Sequence, residues 1–233
     1  MDPFPENWRR AAAVAAHPDD LEYGAAAAIA RWTAQGKSVA YVLATRGEAG
    51  IDGIAPDEAG PLRVDEERRS AAVVGVTDVS FLDYQDGTLE YGLPLRRDLA
   101  TALRRLRPEI VITLNFDLTW GGDVVNQADH RALGLALLDA CRDAGNRWIF
   151  SDAGVEPWSG VDSVYVAASP EPTHFVDVTA TIDDGLASLR EHKAYLDGLG
   201  GDFDHIAFLR DLAKQEGEKV GCAFATTFRL LRV

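Results

Sequence analysis

"AAAVAAHPDDLEYGAAAAIA", Ala11 to Ala30, sets two apolar runs around a charged knot, His17-Pro18-Asp19-Asp20. The first run, Ala11 to Ala16, reads as a buried strand. Helical spacing follows from Leu21 to about Gln35, with Gly36 as a stop signal. Pro18 fixes one backbone torsion of the turn and holds His17 extended. Two adjacent aspartates at the end of a buried strand are costly unless a cation or donors offset them.

Outward from this unit the same alternation repeats. "SVAYVLAT" (38–45) is a second strand, followed by a Gly-rich loop from Arg46 to Gly60 and a helix from Pro61 to Val74. "VSFLDY" (79–84) is a third strand, and Pro94 to Leu106 is a helix with its proline at the first position. "EIVITLN" (109–115) is a fourth strand whose continuous Ile-Val-Ile suits burial on both faces. A long polar loop (116–127) leads to a helix from Ala128 to Ala144. "SVYVAA" (163–168), "HFVDVT" (174–179), a helix from Thr181 to Leu199, and a last helix with a closing strand, "FATTFRLLRV", complete the chain. The pattern predicts an α/β fold, a Rossmann-like doubly wound, mostly parallel sheet with helices on both faces. With strand order 3-2-1-4-5, the first and fourth strands flank the switch point, where ligands bind beyond the carboxyl ends. Both His17 and the segment 116–130 face that crevice.

The 233 residues suit one domain, 1–233, in which 199–233 form the C-terminal helix and closing strand. A formal charge of −14 repels nucleic acid and anionic membranes, so neither is an expected partner. Cys141 and Cys222 form no CxxC pair. Together with an N-terminus, "MDPFPENWRR", that has no signal-peptide pattern, they point to a reduced, cytoplasmic setting. The sequence leaves a homo-oligomer open. "GIDGIAPDEAG" lacks GxGxxG and the Walker lysine, so a nucleotide site is poorly supported.

His17 and Asp20 are both metal-ligand types, three residues apart across a strand-to-helix turn. Asp129-His130 opens the helix after the fourth strand. Either piece alone also reads as a helix cap. The topology brings His130 across the crevice from His17 and Asp20, giving three protein ligands and one open position, the arrangement of a catalytic zinc site. Such a set also accepts Fe2+, Co2+ or Mn2+.

"AHPDD", "TRGEAG" (45–50), "RVDEERRSAAVVGV", "LDYQDGTL", "RPEIVIT" and "ADHR" resemble, in order, the PIG-L / LmbE-like zinc-dependent N-deacetylases, over residues 10 to 198. The resemblance implies that His17, Asp20 and His130 bind Zn2+ and that Asp19 is the general base. It implies removal of an acetyl or other acyl group from the amine of an N-acylated amino sugar, the small-molecule partner. It also implies that Arg46, Glu48 and Arg63 contact substrate, with Asp86 and His192 as further substrate-binding candidates. As a plain reading, Asp86 is an Asp-Gly turn residue and His192 lies exposed on a charged helix. His174 and His205 read as structural, and Trp120 either stacks on a sugar or packs in the core.

The family pattern has His-x-Asp-His where this chain has Gln127-Ala128-Asp129-His130. Gln127 has no proton to give at neutral pH, though its amide can donate a hydrogen bond to an oxyanion. Asp19 is therefore expected to act as both base and acid, and Asp129 to support His130. Two rival readings stand beside the enzyme: a non-hydrolytic sugar- or nucleotide-binding Rossmann-like module, and a structural protein whose His and Asp groups only cap helices.

Overall fold

A computed structural model describes residues 1–233. In chain order the elements are β1 (Asp2–Pro3), β2 (Arg10–Ala15), α1 (Asp20–Gly24), α2 (Ala26–Ala34), β3 (Ser38–Leu43), α3 (Pro56–Val73), β4 (Asp78–Phe81) and α4 (Leu93–Leu106). They continue with β5 (Ile110–Leu114), α5 (Ala128–Gly145), β6 (Ser163–Ala167), β7 (His174–Asp177), α6 (Ile182–Arg190), α7 (Lys193–Leu199), α8 (His205–Val220) and β8 (Ala225–Arg232). The eight strands join one sheet in the order β4-β3-β2-β5-β6-β8-β7-β1. The predicted 3-2-1-4-5 order is present as β4-β3-β2-β5-β6. Only β8 runs antiparallel, paired on one side with β6 and on the other with β7.

Successive residues of β2 divide between the two faces, as the two-residue period of a strand requires. Ala11, Ala13 and Ala15 join a core with α2, α6 and Trp32; Ala12, Val14 and Ala16 join one with α4 and α5. Ile110 and Ile112 against Val111 split in the same way. Small side chains on β2 let the elements that carry the site approach closely. A Cβ on Gly24 would lie 2.7 Å from Leu114 Cδ1 and 3.0 Å from Ala167 Cβ, so α1 rests directly on the ends of β5 and β6.

Several boundaries differ from the sequence reading. The helix expected over 21–35 breaks at Ala25 (φ −139°, ψ −15°) into α1 and α2. The helix expected from Pro61 starts at Pro56, which takes the first-turn position, and Pro61 sits inside it, where it costs one backbone bond. The helix expected over 181–199 is interrupted after Arg190, and His192 (φ −79°, ψ 50°) turns inward at the break. The 116–127 loop is an ordered hairpin, with a bridge between Thr119 and Val125 and its tip at Gly121-Gly122, both at positive φ. The N-terminal stretch is also packed: Phe4 and Trp8 are buried, and the Phe4 ring lies 3.9 Å from that of Tyr165.

Candidate active site

Asp20 heads α1 and is fixed by the turn before it. Its Oδ2 accepts hydrogen bonds from the Ala16 and His17 amides at 3.0 and 2.9 Å. Its Oδ1 is left facing His130 Nε2 at 3.0 Å. His17 Nδ1 stands 3.2 Å from His130 Nε2 and 3.6 Å from Asp20 Oδ2. The far nitrogens of both rings have partners. His17 Nε2 meets Asp86 Oδ1 at 3.1 Å and Asp129 Oδ2 at 3.3 Å. His130 Nδ1 meets Asn126 Oδ1 at 2.9 Å. Asn126 is oriented by its own amide, which donates to the carbonyls of Asn115 and Asp117.

This network assigns the protons. His17 donates from Nε2 to the carboxylates, and His130 donates from Nδ1 to Asn126. The inward nitrogens therefore present lone pairs, 3.2 Å apart, beside a carboxylate oxygen and with no donor between them. Three acceptors so placed repel one another unless a cation lies among them. Two of their separations, 3.2 Å between the nitrogens and 3.0 Å from His130 Nε2 to Asp20 Oδ1, lie near the edge of about 3.3 Å expected for ligands at zinc bond lengths. Outer carboxylate and amide partners on ligating histidines are the usual support of such a centre. The donor set fits a divalent metal.

When no metal is bound, the same arrangement favours a proton on His17 in its place. Burial opposes a charge on His17, but Asp129, Asp20 and Asp86 outweigh it and raise its pKa well above the ordinary histidine value. Burial likewise works against the Asp20 carboxylate, yet His130 and His17 hold it far below the usual range. The pocket's field draws positive charge, whether proton or metal.

Asp19 stands outside the three-ligand set but lines the same cavity as Asp20 and His130. It adopts a left-handed conformation (φ 88°), which an aspartate tolerates better than most residues. Its carboxylate pairs with the buried Arg63, and its amide donates to Glu67 Oε2 at 3.2 Å. The Arg63 guanidinium also donates to Pro18 O and stacks on Tyr195, 3.9 Å from the ring centre. Burial raises the Asp19 pKa, and Arg63 pulls it part of the way back.

Behind Asp19 lies a layer sealed from solvent. Glu22 accepts from Ser70 Oγ at 2.6 Å, and His192 Nε2 stands 3.6 Å from Glu22 and 3.5 Å from Glu67. Burial, and then the neighbouring Glu22 charge, push the Glu67 carboxyl well above its usual range. Burial also disfavours the Glu22 charge, but the nearby His192 imidazole and Ser70 outweigh it, and Glu22 lies below its usual range.

The structure brings His17, Asp20 and His130 together with Asp19 beside them, and it places other candidates elsewhere. Asp129 supports His17, not His130; it also accepts from the Gly87 and Leu89 amides. His192 is fully buried beneath the turn rather than exposed or in reach of a substrate. Arg63 is buried against Asp19. Asp86 is engaged with His17 and with the Ala49 amide, and Glu48 accepts from the Asp86 amide at 2.9 Å. Arg46 is half exposed and pairs with Asp83. Gln127 caps α5, exposed, with its side chain on the cavity wall. Trp120 packs edge-on to His130, 5.5 Å between ring centres.

Asn126, Glu22, Glu67 and Tyr195 went unseen in the sequence. For Asn126 a signal exists, an amide one helical turn before a ligand histidine; the other three act through contacts between distant elements. The site opens into a cavity of about 660 Å³ running between α1, α2, α6 and α8.

Residues 12–141 match the family model described as PIG-L: GlcNAc-PI de-N-acetylase. A diacetylchitobiose deacetylase of Thermococcus kodakarensis is 33% identical over 76% of this chain and 67% of its own length. A 1D-myo-inositol 2-acetamido-2-deoxy-alpha-D-glucopyranoside deacetylase of Kineococcus radiotolerans is 31% identical, over 70% of this chain and 53% of its own. The chain thus spans about half to two thirds of the length of these curated relatives. Among solved structures, the N,N'-diacetylchitobiose deacetylase of Pyrococcus horikoshii has a TM-score of 0.86 at 25% identity, covering 97% of this chain and 85% of that one. The fold also carries other chemistry: a 4-carboxy-2-hydroxymuconate hydratase of Pseudomonas putida, 20% identical and covering 96% of each chain, has a TM-score of 0.76. Fold and site together define an α/β protein with a mostly parallel sheet and a buried His17–Asp20–His130 cluster that could hold a divalent metal. More narrowly, the chain belongs to the PIG-L family of de-N-acetylases.

Proposed function

We propose that the protein is a zinc-dependent N-deacylase acting on the 2-acylamino group of an amino sugar or a related small molecule. The observation that carries this reading is the convergence of His17 Nδ1, His130 Nε2 and Asp20 Oδ1, acceptors with no donor among them, beside an aspartate held out of the ligand set. A bound Zn2+ supplies Lewis acidity at the amide carbonyl and brings the pKa of water towards ~7. Asp19 takes the proton of the attacking water and returns it to the leaving amine. Arg63 and the Glu67 contact fix Asp19 for that transfer. Gln127, with no internal partner for its side chain, donates to the developing oxyanion. Asp129, Asp86 and Asn126 hold the two imidazoles. The two cysteines are free, and the reducing, cytoplasmic setting read from them belongs to this proposal.

Metal analysis combined with amine release from N-acetylglucosaminides tests the reading. The expected result is about one zinc per chain, lost in His17→Ala and His130→Ala. Asp19→Asn should retain the metal and lose roughly 10²–10⁴ in kcat. Gln127→Ala should lower kcat without moving either limb of the pH–rate profile, because an amide does not titrate there. A metal-loaded Asp19→Asn variant with unchanged turnover would remove Asp19 from the chemistry and sink the mechanism.

A further inference from the structure

The environment of the three ligands is strongly asymmetric. On one side stand the loops after β3 and β4, with Arg46, Glu48, Asp83 and Asp86, charged groups suited to sugar hydroxyls. On the other, the 660 Å³ cavity runs beneath α6 and α8, and the apolar part of its wall includes Ile182, Leu186, Leu199, Phe208, Leu209 and Leu212. That volume lies in the range that holds a whole drug-sized ligand, far beyond the methyl of an acetyl group. Lining residues on α8 extend from His205 to Glu216, three turns or about 16 Å of helix. Tyr23 and His205 are paired at 2.7 Å, and Glu216 Oε1 with Lys219 at 2.6 Å, so the polar groups on α1 and α8 are partly taken. A sugar laid against the apolar side chains of α6 and α8 would leave hydroxyls without partners, at a cost. An alkyl chain would not.

An amide has two sides, and the site offers one wall to each. We propose that the amine half of the substrate lies on the charged side and that the acyl half enters the apolar cavity, so that the preferred substrate is an amino sugar carrying a medium-chain acyl group, roughly eight to twelve carbons, rather than acetyl alone. This rests on the hydrolase reading above. In the step itself the amide C–N bond breaks and the water oxygen bonds to the acyl carbon. The water's hydrogens are shared between the amine and the fatty acid, which then leaves as its carboxylate. No oxidant or further reactant is needed.

The test is amine release from N-acetyl-, N-butanoyl-, N-hexanoyl- and N-octanoylglucosamine, with octyl N-acetylglucosaminide as the control that carries its chain on the sugar. The zinc-loaded protein should show kcat/KM rising with acyl length, by up to about fourfold per methylene and at least tenfold from acetyl to octanoyl. Leu209→Trp narrows the cavity, and Leu212→Glu, at a partly exposed position that does not threaten folding, puts a charge on its wall. Both should lower the octanoyl-to-acetyl ratio about tenfold. A flat or falling profile with acetyl still hydrolysed overturns the inference and leaves the hydrolase reading intact. So does a preference for the octyl glycoside, which would put the apolar half on the amine side, or an unchanged ratio in Leu212→Glu. A flat profile together with a dimer that Leu212→Glu dissociates assigns this face to a second copy. Release of amine from none of the amides by zinc-loaded protein overturns both readings.

Discussion

Asp19 owes its place to residues that never meet water, and Glu67 is the most sensitive of them. Its Oε2 accepts the Asp19 amide, Oε1 has no partner, and burial with the nearby Glu22 charge raises its pKa. The folded pKa lies above the unfolded one. The stabilisation from the neutral form is therefore complete below the ordinary glutamate range, near pH 4.3, and is lost as pH climbs through the raised folded value. Glu67→Gln keeps the acceptor for Asp19 and cannot ionise. Urea denaturation across pH 4 to 8 should show the wild type losing stability relative to Glu67→Gln, by about 1.4 kcal/mol for each pH unit crossed between the two values. A difference that does not vary with pH would mean that Glu67 is already ionised in the fold. At this scale the sequence is legible where chemistry is concentrated. His17, Asp20 and His130 stand out because ligand types cluster at strand and helix ends. Glu67 and His192 do not, since each looks like an ordinary charge on a helix until α3 and the α6–α7 break are brought behind the turn.

Between elements, the tightest constraint is the crossing of α6 over α2. A Cβ on Gly185 would fall 2.7 Å from the Ala27 amide nitrogen and 2.8 Å from its Cα. Backbone cannot rotate aside as a side chain can, so α6 would have to lift from the sheet. Gly185→Ala should cost about 1–3 kcal/mol in chemical denaturation; a loss below about 0.5 kcal/mol would show that α6 slides freely on α2. Strands were readable from their apolar runs, since a fully buried parallel strand needs both faces filled, and β2, β3 and β5 provide that. Helix breaks were less so. Ala25 and His192 interrupt their helices with neither proline nor glycine at the break itself; the close seat of Gly24 on Leu114 and the inward turn of His192 are tertiary effects that local periodicity does not encode.

For the molecule as a whole, the two cysteines separate local from global opening. Cys141 faces the core of α5, and burial pushes its thiol up to about 12. Cys222 is half-buried at the end of α8, raised by burial and by Asp177, and its thiol donates to Phe224 O at 3.3 Å. A disulfide reagent at pH 8 should modify Cys222 alone in the native protein, with Cys141 reacting only at the rate of global unfolding. Equal rates at both sites would mean that the α4–α5 layer opens independently of the rest. The doubly wound core was visible in the sequence from β2 to β6, but the order of the last three strands was not, because nothing local in "FATTFRLLRV" specifies which neighbours it takes.

That strand, β8, has a kinetic consequence. It lies between β6 and β7, although both precede it in the chain. On a ribosome, β7 and the short β1 beside it have no lasting place in the sheet until residues 225–232 have emerged. Until then β6 presents an unpaired edge. Synthesis cannot complete this fold in the order in which it makes the chain, and the nascent protein stays vulnerable to edge-to-edge association until its final strand is threaded home.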